Sequence, residues 1–511
     1  MAILGSIVKS AITLKDSLTP DKKEYSNLQA EQLRKLLSRA SSTAFGIYHR
    51  FGELLESENP VRSFQEAAPI YEYEEMNNRW WRQQQVAPDI TWPGKPDYFA
   101  LSSGTTGKES KRIPVTREML ESIRSAGLSQ AESLAKYDLP PDLFEKDILM
   151  LSSSARLRRH PNGHLEGEIS GISTNNIPGW FSGFYKPGLE IARIDDWDER
   201  VKAIAQHARE WDVGAIAGIP SWVQMMLRAI IEHHGLDNIH QIWPSLAIYV
   251  SGGVAFEPYR QSLNSLMGRP LIYMDTYLAS EGFFAYNARP GTMAMKLALE
   301  HGIFYEFIPF DERGFDEMGN LLPNPEVLTI GEVEEGQDYA LVVSTPAGAW
   351  RYMIGDTVKF TSLEEMEIVI SGRTKYFLNV VGSQLSEEKM NAAMAGLSEF
   401  LGTAVNEFAV AAVRNEQGDF YHQWAIGVEN GSGIDEGAAV QKLDETLQQL
   451  NKNYGVARRK ALKGVELAIL PAGVFYRWLE AGKKKGGQAK VPKVMTEEKM
   501  KEFLNFAGAA R

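Results

Sequence analysis

Between residues 145 and 290, short apolar runs alternate with stretches whose apolar positions recur every three or four residues. The runs "DILMLSS", "VGAIAGI", "LAIYVSGG" and "PLIYMDTY" have the length and composition of buried strands, whereas "SWVQMMLRAIIEHHG" carries the helical period. This alternation predicts a largely parallel sheet covered by helices. Upstream, residues 1–90 read as helical, with good helix formers in "SNLQAEQLRKLLSRA" and a second segment around "FQEAAPIYEYEEMNNRWWRQQ". At the start, Ile3, Leu4, Ile7, Val8, Ala11 and Ile12 recur at helical spacing, interrupted by Lys9. That pattern predicts an amphipathic helix docked on the body rather than a membrane-surface or targeting segment.

The period changes elsewhere. "PDYFALSSGTTGKESKRIPVT" reads as strand, glycine-rich loop and strand, since Ile113 and Val115 suit a strand and Pro114 is hostile to a helix. A long helix follows over roughly Arg117 to Lys136. From 301 to 372, "GIFYEFIPF", "YALVVST", "DTVKFT" and "EIVISG" predict a strand-rich unit, either a small barrel or an antiparallel sheet. After "SGRTKYF" the region becomes mixed, with strands at "EFAVAAV" and "YHQWAIGVE" and a helix at "DEGAAVQKLDETLQQLNKNYG". The chain thus reads as α/β in class, with a large N-terminal domain over residues 1–372 and a smaller mobile α+β C-terminal domain over 373–511. The large domain combines helix-covered sheets with a small barrel-like β subdomain.

Composition adds limits rather than identity. A chain of 511 residues exceeds the roughly 250–300 that one core serves, in keeping with two domains. The absence of cysteine excludes disulfides, thiolate metal sites and a catalytic thiol, and fits a reducing cytoplasm. A net charge of −12 argues against nucleic acid as a partner. No stretch reaches the ~20 apolar residues of a membrane span, which argues against stable membrane insertion.

The loop "SSGTTGKES" sharpens the picture. It fails the NTPase pattern G-x-x-x-x-G-K-[ST] on three counts: Ser102 replaces glycine, Glu109 replaces the magnesium-binding hydroxyl, and a strand follows instead of a helix. It keeps phosphate-binding chemistry all the same. Gly104 and Gly107 let backbone N–H groups form an anion nest, Ser102, Ser103, Thr105 and Thr106 add hydroxyl donors, and Lys108 adds a charge. Further on, "TYLASEGFFAYN" puts Glu281 at a strand's C-terminal edge, where ligands bind in open α/β sheets. There Tyr277 can offer a ring face to a purine and Glu281 can hold Mg²⁺. "WRYMIGDTV" supplies Asp356, predicted in a tight turn, to accept from both ribose hydroxyls, and "SGRTKYF" supplies Arg373, a phosphate-capable fork.

In sequence order, S-S-G-T-T-G-K, Y-x-x-S-E-G, W-R-Y-x-x-G-D and S-G-R-T-K resemble the adenylate-forming superfamily of acyl-CoA synthetases, luciferases and peptide-synthetase adenylation domains. More narrowly, "GIFYEFIPF", "WRYMIGDTVKF", "SGRTKYF" and "GGQAKVPK" resemble the auxin-responsive acyl acid–amido synthetases of plants and their bacterial relatives, from about residue 20 onward. The resemblance implies a two-step ligase that uses ATP and Mg²⁺. A carboxylic acid first attacks the α-phosphorus to give an acyl-adenylate and pyrophosphate, and an amine, typically an amino acid's, then takes the acyl group and releases AMP.

By position, the resemblance implies that Ser102 through Lys108 cradle the triphosphate and that Ser251, Gly252, Gly253 and Tyr277 flank adenine. Glu281 would coordinate Mg²⁺ and Asp356 would bind ribose. Lys490, Arg373 and Lys375 make up the catalytic machinery: Arg373 reaches ribose or phosphate, Lys375 sits at the hinge, and Lys490 enters the site during adenylation. Lys493 and Lys485 are rival candidates for that entering lysine. Two departures stand out, namely the arginine at Arg351 in the W-R-Y-x-x-G-D form of the bacterial branch, and Ser383–Gln384 where relatives carry acids.

Trp180, Phe181, Trp222 and Met225 could line an acyl pocket, with ordinary core roles equally open. His160 and His164 lie four apart near acids, but the intervening Pro-Asn-Gly is a turn, so the pair is not read as a metal site. His233 and His234 read as a solvated helix end. Delivery of the acyl group to CoA or a carrier thiol, and a non-catalytic nucleotide-binding role, stand as the alternatives to amide synthesis. The acid, the amine and the oligomeric state are not legible.

Overall fold

Strands that are apolar along their whole length need cover on both faces, and in the large sheet helical segments packed on the parallel strands provide it. The computed structural model describes residues 22–102, 110–179, 181–316, 319–374, 385, 387–415, 419–429, 433–460, 462–481 and 490–509. The segment from Ile3 to Ile12 expected as a first helix lies outside them.

Strands β1 (Tyr98–Ser102) and β2 (Lys111–Val115) form the antiparallel pair that brackets the glycine-rich loop, with Ser102 opposite Lys111. β3 (Asp147–Met150) opens the large sheet, while β4 (Arg158–Arg159) and β5 (Leu165–Gly167) extend the β1–β2 hairpin into a four-stranded sheet. β6 (Tyr185–Lys186), β7 (Val213–Ala217), β8 (Ile248–Gly252) and β9 (Ile272–Ala279) join β3 in parallel.

At β9 the sheet changes sense. β10 (Gly282–Tyr286) returns antiparallel, and β11 (Met295–Leu297), β12 (Phe304–Pro309), β13 (Asp338–Ser344), β14 (Tyr352–Ser362) and β15 (Glu367–Arg373) continue antiparallel. The result is one 11-stranded sheet of order β12-β13-β14-β15-β11-β10-β9-β8-β7-β3-β6. Of the two arrangements open for residues 301–372, the antiparallel sheet is realised, joined edge-on to the parallel strands through β10 and β11. Asp356 differs from its expected tight turn. Val342 pairs with Met353 but Ala340 with Thr357, so residues 354–356 bulge out of a long strand.

Helices follow their sequence signals. α1 (Lys22–Ala40) buries Leu33, Leu36, Leu37 and Ala40, and α2 (Arg117–Ser133) is capped by Thr116, whose hydroxyl accepts from the Met119 N–H. α3 (Trp197–His207) packs on α4 (Pro220–His234), which has proline at its first turn and Gly235 at φ +62 past its end. Trp222, Val223, Met226, Leu227 and Ile230 form the buried stripe of α4, each contributing about 1.5–3 kcal/mol through burial.

The C-terminal unit is built on β16 (Val405–Arg414), β17 (Phe420–Val428), β18 (Leu462–Pro471) and β19 (Val494–Met495), in the order β18-β17-β16-β19. Side chains of β16 alternate between two cores. Phe408 and Val410 pack with α5 (Glu387–Leu401) and α6 (Glu436–Leu450), whereas Ala409 and Ala411 pack with α7 (Gly473–Ala481) and α8 (Glu497–Ala509). Among the described residues, no helix is long and apolar enough to cross a membrane.

Candidate active site

β8 and β9 end side by side, and the residues just beyond them form the floor of the site. Gly252 faces Thr276, where an added side-chain carbon would meet the Thr276 hydroxyl at 2.6 Å, so only glycine fits. Gly253 has φ +82, which also favours glycine. A carbon added there would lie 3.4 Å from both Cε and Nζ of Lys490. Lys490 precedes β19 in the C-terminal unit, yet its ammonium reaches the tip of β8 in the large one.

Around that lysine stand the motif residues of β9, β14 and β15. Asp356, on its bulge, accepts from the Tyr277 hydroxyl at 2.7 Å and pairs with the Arg373 guanidinium at 2.7 Å. The Tyr277 ring is 4% exposed and packs edge-on against Phe284, with centroids 5.0 Å apart, so in this arrangement its hydroxyl rather than its face serves the site. Glu281 lies in the two-residue turn between β9 and β10. Burial pushes its carboxyl above the usual range; Lys111 opposes that push and Asp356 adds to it. Burial, then Arg373, pushes the Lys490 ammonium below the usual lysine range, while Asp356, Glu387 and Glu168 pull it back.

This is a mixed-charge site in which two buried carboxylates meet a part-exposed guanidinium and the ammonium of an exposed lysine. Such a set can neutralise a polyphosphate with its counter-ion and hold a ribose, while leaving an ammonium for a developing anion.

The Arg351 of W-R-Y is elsewhere. Its side chain is 5% exposed, its Nε lies 3.2 and 3.1 Å from the Glu306 carboxylate oxygens, its Nη2 lies 3.0 Å from the same carboxylate, and its Nη1 donates to the carbonyls of Gln65 and Ala68 at 2.6 Å each. It ties the N-terminal helices to β12 and β14 and does not enter the site.

Three GH3 domains match the chain: the GH3 family N-terminal domain over residues 15–208, the central domain over 296–369 and the C-terminal domain over 387–499. The chain belongs to the GH3 family. The GH3 relatives of known name include "Indole-3-acetic acid-amido synthetase GH3.3" of Arabidopsis thaliana, 23% identical over 94% of this chain and 91% of that protein. "Probable indole-3-acetic acid-amido synthetase GH3.9" of Oryza sativa is 24% identical over 52% of this chain, and the match spans 64% of that protein, just under two thirds. Among solved structures, "GH3.15 acyl acid amido synthetase" superposes with a TM-score of 0.77 at 18% identity, covering 98% of this chain and 96% of that one. A 2-hydroxyisobutyryl-CoA ligase in its postadenylation state superposes with a TM-score of 0.57 at 12% identity, covering 94% and 92%. At these identities the likeness concerns the fold, which the GH3 chain shares with adenylate-forming ligases.

The structure brings Lys490, Gly253, Tyr277, Glu281, Asp356 and Arg373 into one locality. Ser251 is buried beneath them, with its carbonyl accepting from the Thr276 hydroxyl at 2.8 Å. Ser102 closes β1 at the mouth of the loop. Ser103 through Lys108, Lys375, Ser383, Gln384, Lys485 and Trp180 lie outside the described residues. Lys493 points away, to Glu407 at 3.3 Å.

Of the pocket candidates, Trp222 is 1% exposed and packs on Trp197 at 4.7 Å, while Met225 packs against the same core. His160 and His164 face each other across the β4–β5 hairpin, and with Glu166 their ligand atoms lie within 4.8 Å of one another. Their rings stack at 4.5 Å and 10°, so the in-plane lone pairs cannot converge on one ion, and Arg112 already holds Glu166 at 2.8 Å. Glu168 and Glu387, which raise the Lys490 pKa through their charge, were missed because the stretches that hold them carry no spacing that ties them to that lysine.

Proposed function

We propose that the chain activates a small carboxylic acid as its acyl-adenylate with ATP and then transfers the acyl group to an amine, with an amino acid as the favoured acceptor. The observation that carries this reading is Lys490. A cation from the C-terminal unit sits against the glycines of the β8 tip, beside Asp356 and Arg373, where an α-phosphate and an acid would meet. The names of the GH3 relatives supply the acceptor class.

In this reading Asp356 accepts from the ribose hydroxyls, held in aim by Tyr277 and Arg373. The backbone at Ser251–Gly253 flanks the base, and Ser102 through Lys108 cradle the triphosphate. The buried Glu281, with its raised carboxyl near Asp356, is the group that gains most from a bound cation, which supports it as the Mg²⁺ ligand. That ion would neutralise phosphate charge. Lys490 then stabilises charge as the carboxylate attacks in line, and no side-chain nucleophile is needed. We place the domain boundary near residues 372–373 and the hinge at Lys375.

Acid-dependent ATP–pyrophosphate exchange followed by an acceptor screen tests the reading. Exchange with amide product supports it. Exchange with transfer only to a thiol refutes the acceptor, and absence of exchange with every acid refutes adenylation.

A further inference from the structure

Glu407 is a carboxylate that the proposed chemistry does not use, yet it is 3% exposed at the seam between the two units. One oxygen accepts from the Tyr259 hydroxyl of the large unit at 2.5 Å and from Tyr476 of α7 at 3.0 Å. The other lies 3.3 Å from the Lys493 ammonium, which also sits 4.4 Å over the Phe408 ring. Lys493 is itself part of the strand ladder, its carbonyl accepting from the Val410 N–H at 2.8 Å. Lys493 stands three positions beyond Lys490, about 10 Å of extended chain. One side chain therefore grips the large unit and the segment that carries Lys490 at the same time.

A second carboxylate flanks it. Glu429, just after β17, accepts from Gln224 at 2.7 Å and pairs with Arg228, one turn apart on α4, and with Asn406 at 3.4 Å. Tyr259 and Gln224 belong to the large unit, and Glu407, Asn406 and Glu429 to the small one. The small cleft between the units is lined by Tyr259, Glu407, Tyr476, Lys490 and Lys493.

We infer that Glu407 is a positioning residue for the first half-reaction: through Tyr259 and Lys493 it fixes the orientation of the C-terminal unit in which Lys490 stands at the β8 tip. A buried charge is a poor source of stability, and here its three partners, drawn from both units, satisfy it together in the observed alignment. It also suits a joint that must open, since phenol, carboxylate and ammonium are each readily rehydrated, whereas an apolar seam of that size would resist separation. The inference rests on the two-step reading above.

The test uses Tyr259→Phe, which removes only the hydroxyl that crosses between units, alongside Glu407→Gln. Pyrophosphate exchange should fall about tenfold in Tyr259→Phe, while amine transfer from preformed acyl-adenylate stays within about twofold. Because the chain has no cysteine, labels at Glu232→Cys and Gln441→Cys report the distance between units without background. The unsubstituted pair should give one distance in the ATP-free protein, and adding Tyr259→Phe should produce a second population. An unchanged distance distribution, or equal loss in both half-reactions, overturns the inference. If no acid supports exchange in the parent protein but Tyr259→Phe still splits the distances, the docking role stands and the adenylation reading falls.

Discussion

Arg351→Ala separates a structural arginine from a phosphate-binding one. The guanidinium is buried against Glu306, which is 0% exposed on its side chain, and saturates two backbone carbonyls. Removing it leaves Glu306 buried with, among the described residues, only Gln65 donating to it, at 3.0 Å. Stranding a buried carboxylate in this way costs about 3–5 kcal/mol. For a large unit of roughly 350 residues, an unfolding entropy of about 2.1 cal/mol/K per residue converts that cost to a Tm lower by about 4–7 °C. The double variant Arg351→Met/Glu306→Leu removes both charges and should recover most of the loss, to within about 2 °C of the parent. Calorimetry at one scan rate measures both, and the Tm rise on adding ATP reports nucleotide binding independently. A Tm within 1 °C of the parent together with a lost ATP-induced rise would refute the structural assignment and give Arg351 a role in nucleotide binding instead.

Lys490→Ala should lower pyrophosphate exchange about 10²-fold or more while sparing transfer from preformed acyl-adenylate, and equal loss in both would contradict the half-reaction assignment. Because burial and then Arg373 lower the Lys490 pKa, raising the pH discharges this ammonium earlier than a solvated lysine. The exchange rate should therefore fall as pH rises through that lowered value, and Lys490→Arg should move the decline out of the working range. A falling limb unchanged in Lys490→Arg would assign it to another group. Glu281→Gln should reduce exchange about 10²-fold with unaltered circular dichroism, and wild-type exchange across a magnesium titration would remove Glu281 from the metal site. Trp222→Ala should cost about 3–5 kcal/mol in stability without changing which acids are accepted, as checked by denaturant unfolding and an acid panel.

The elements were legible where an apolar run or a helical period was strong. The runs of β3, β7, β8 and β9 stand where their length and composition indicate, and the buried stripe of α4 stands where its period does. β10 was hidden inside "SEGFFAYN", whose unbroken burial gives no alternation, and β18 carries no marked period in "LKGVELAILP". The bulge that aims Asp356 arises from a register mismatch with β13, which no single strand encodes. For the same reason Trp222 suited either core or pocket in sequence; only its packing on Trp197 decides. Glu407 and Tyr259 lie 148 residues apart in motifs of no chemical signature, so their meeting belongs to the tertiary level alone.

ATP–pyrophosphate exchange reads acyl-adenylate formation itself. Purified protein with Mg²⁺ and ATP, screened across small aromatic and aliphatic acids, should show exchange that depends on the acid and is lost in Lys490→Ala. ATP binding without exchange for any acid in the panel would contradict it.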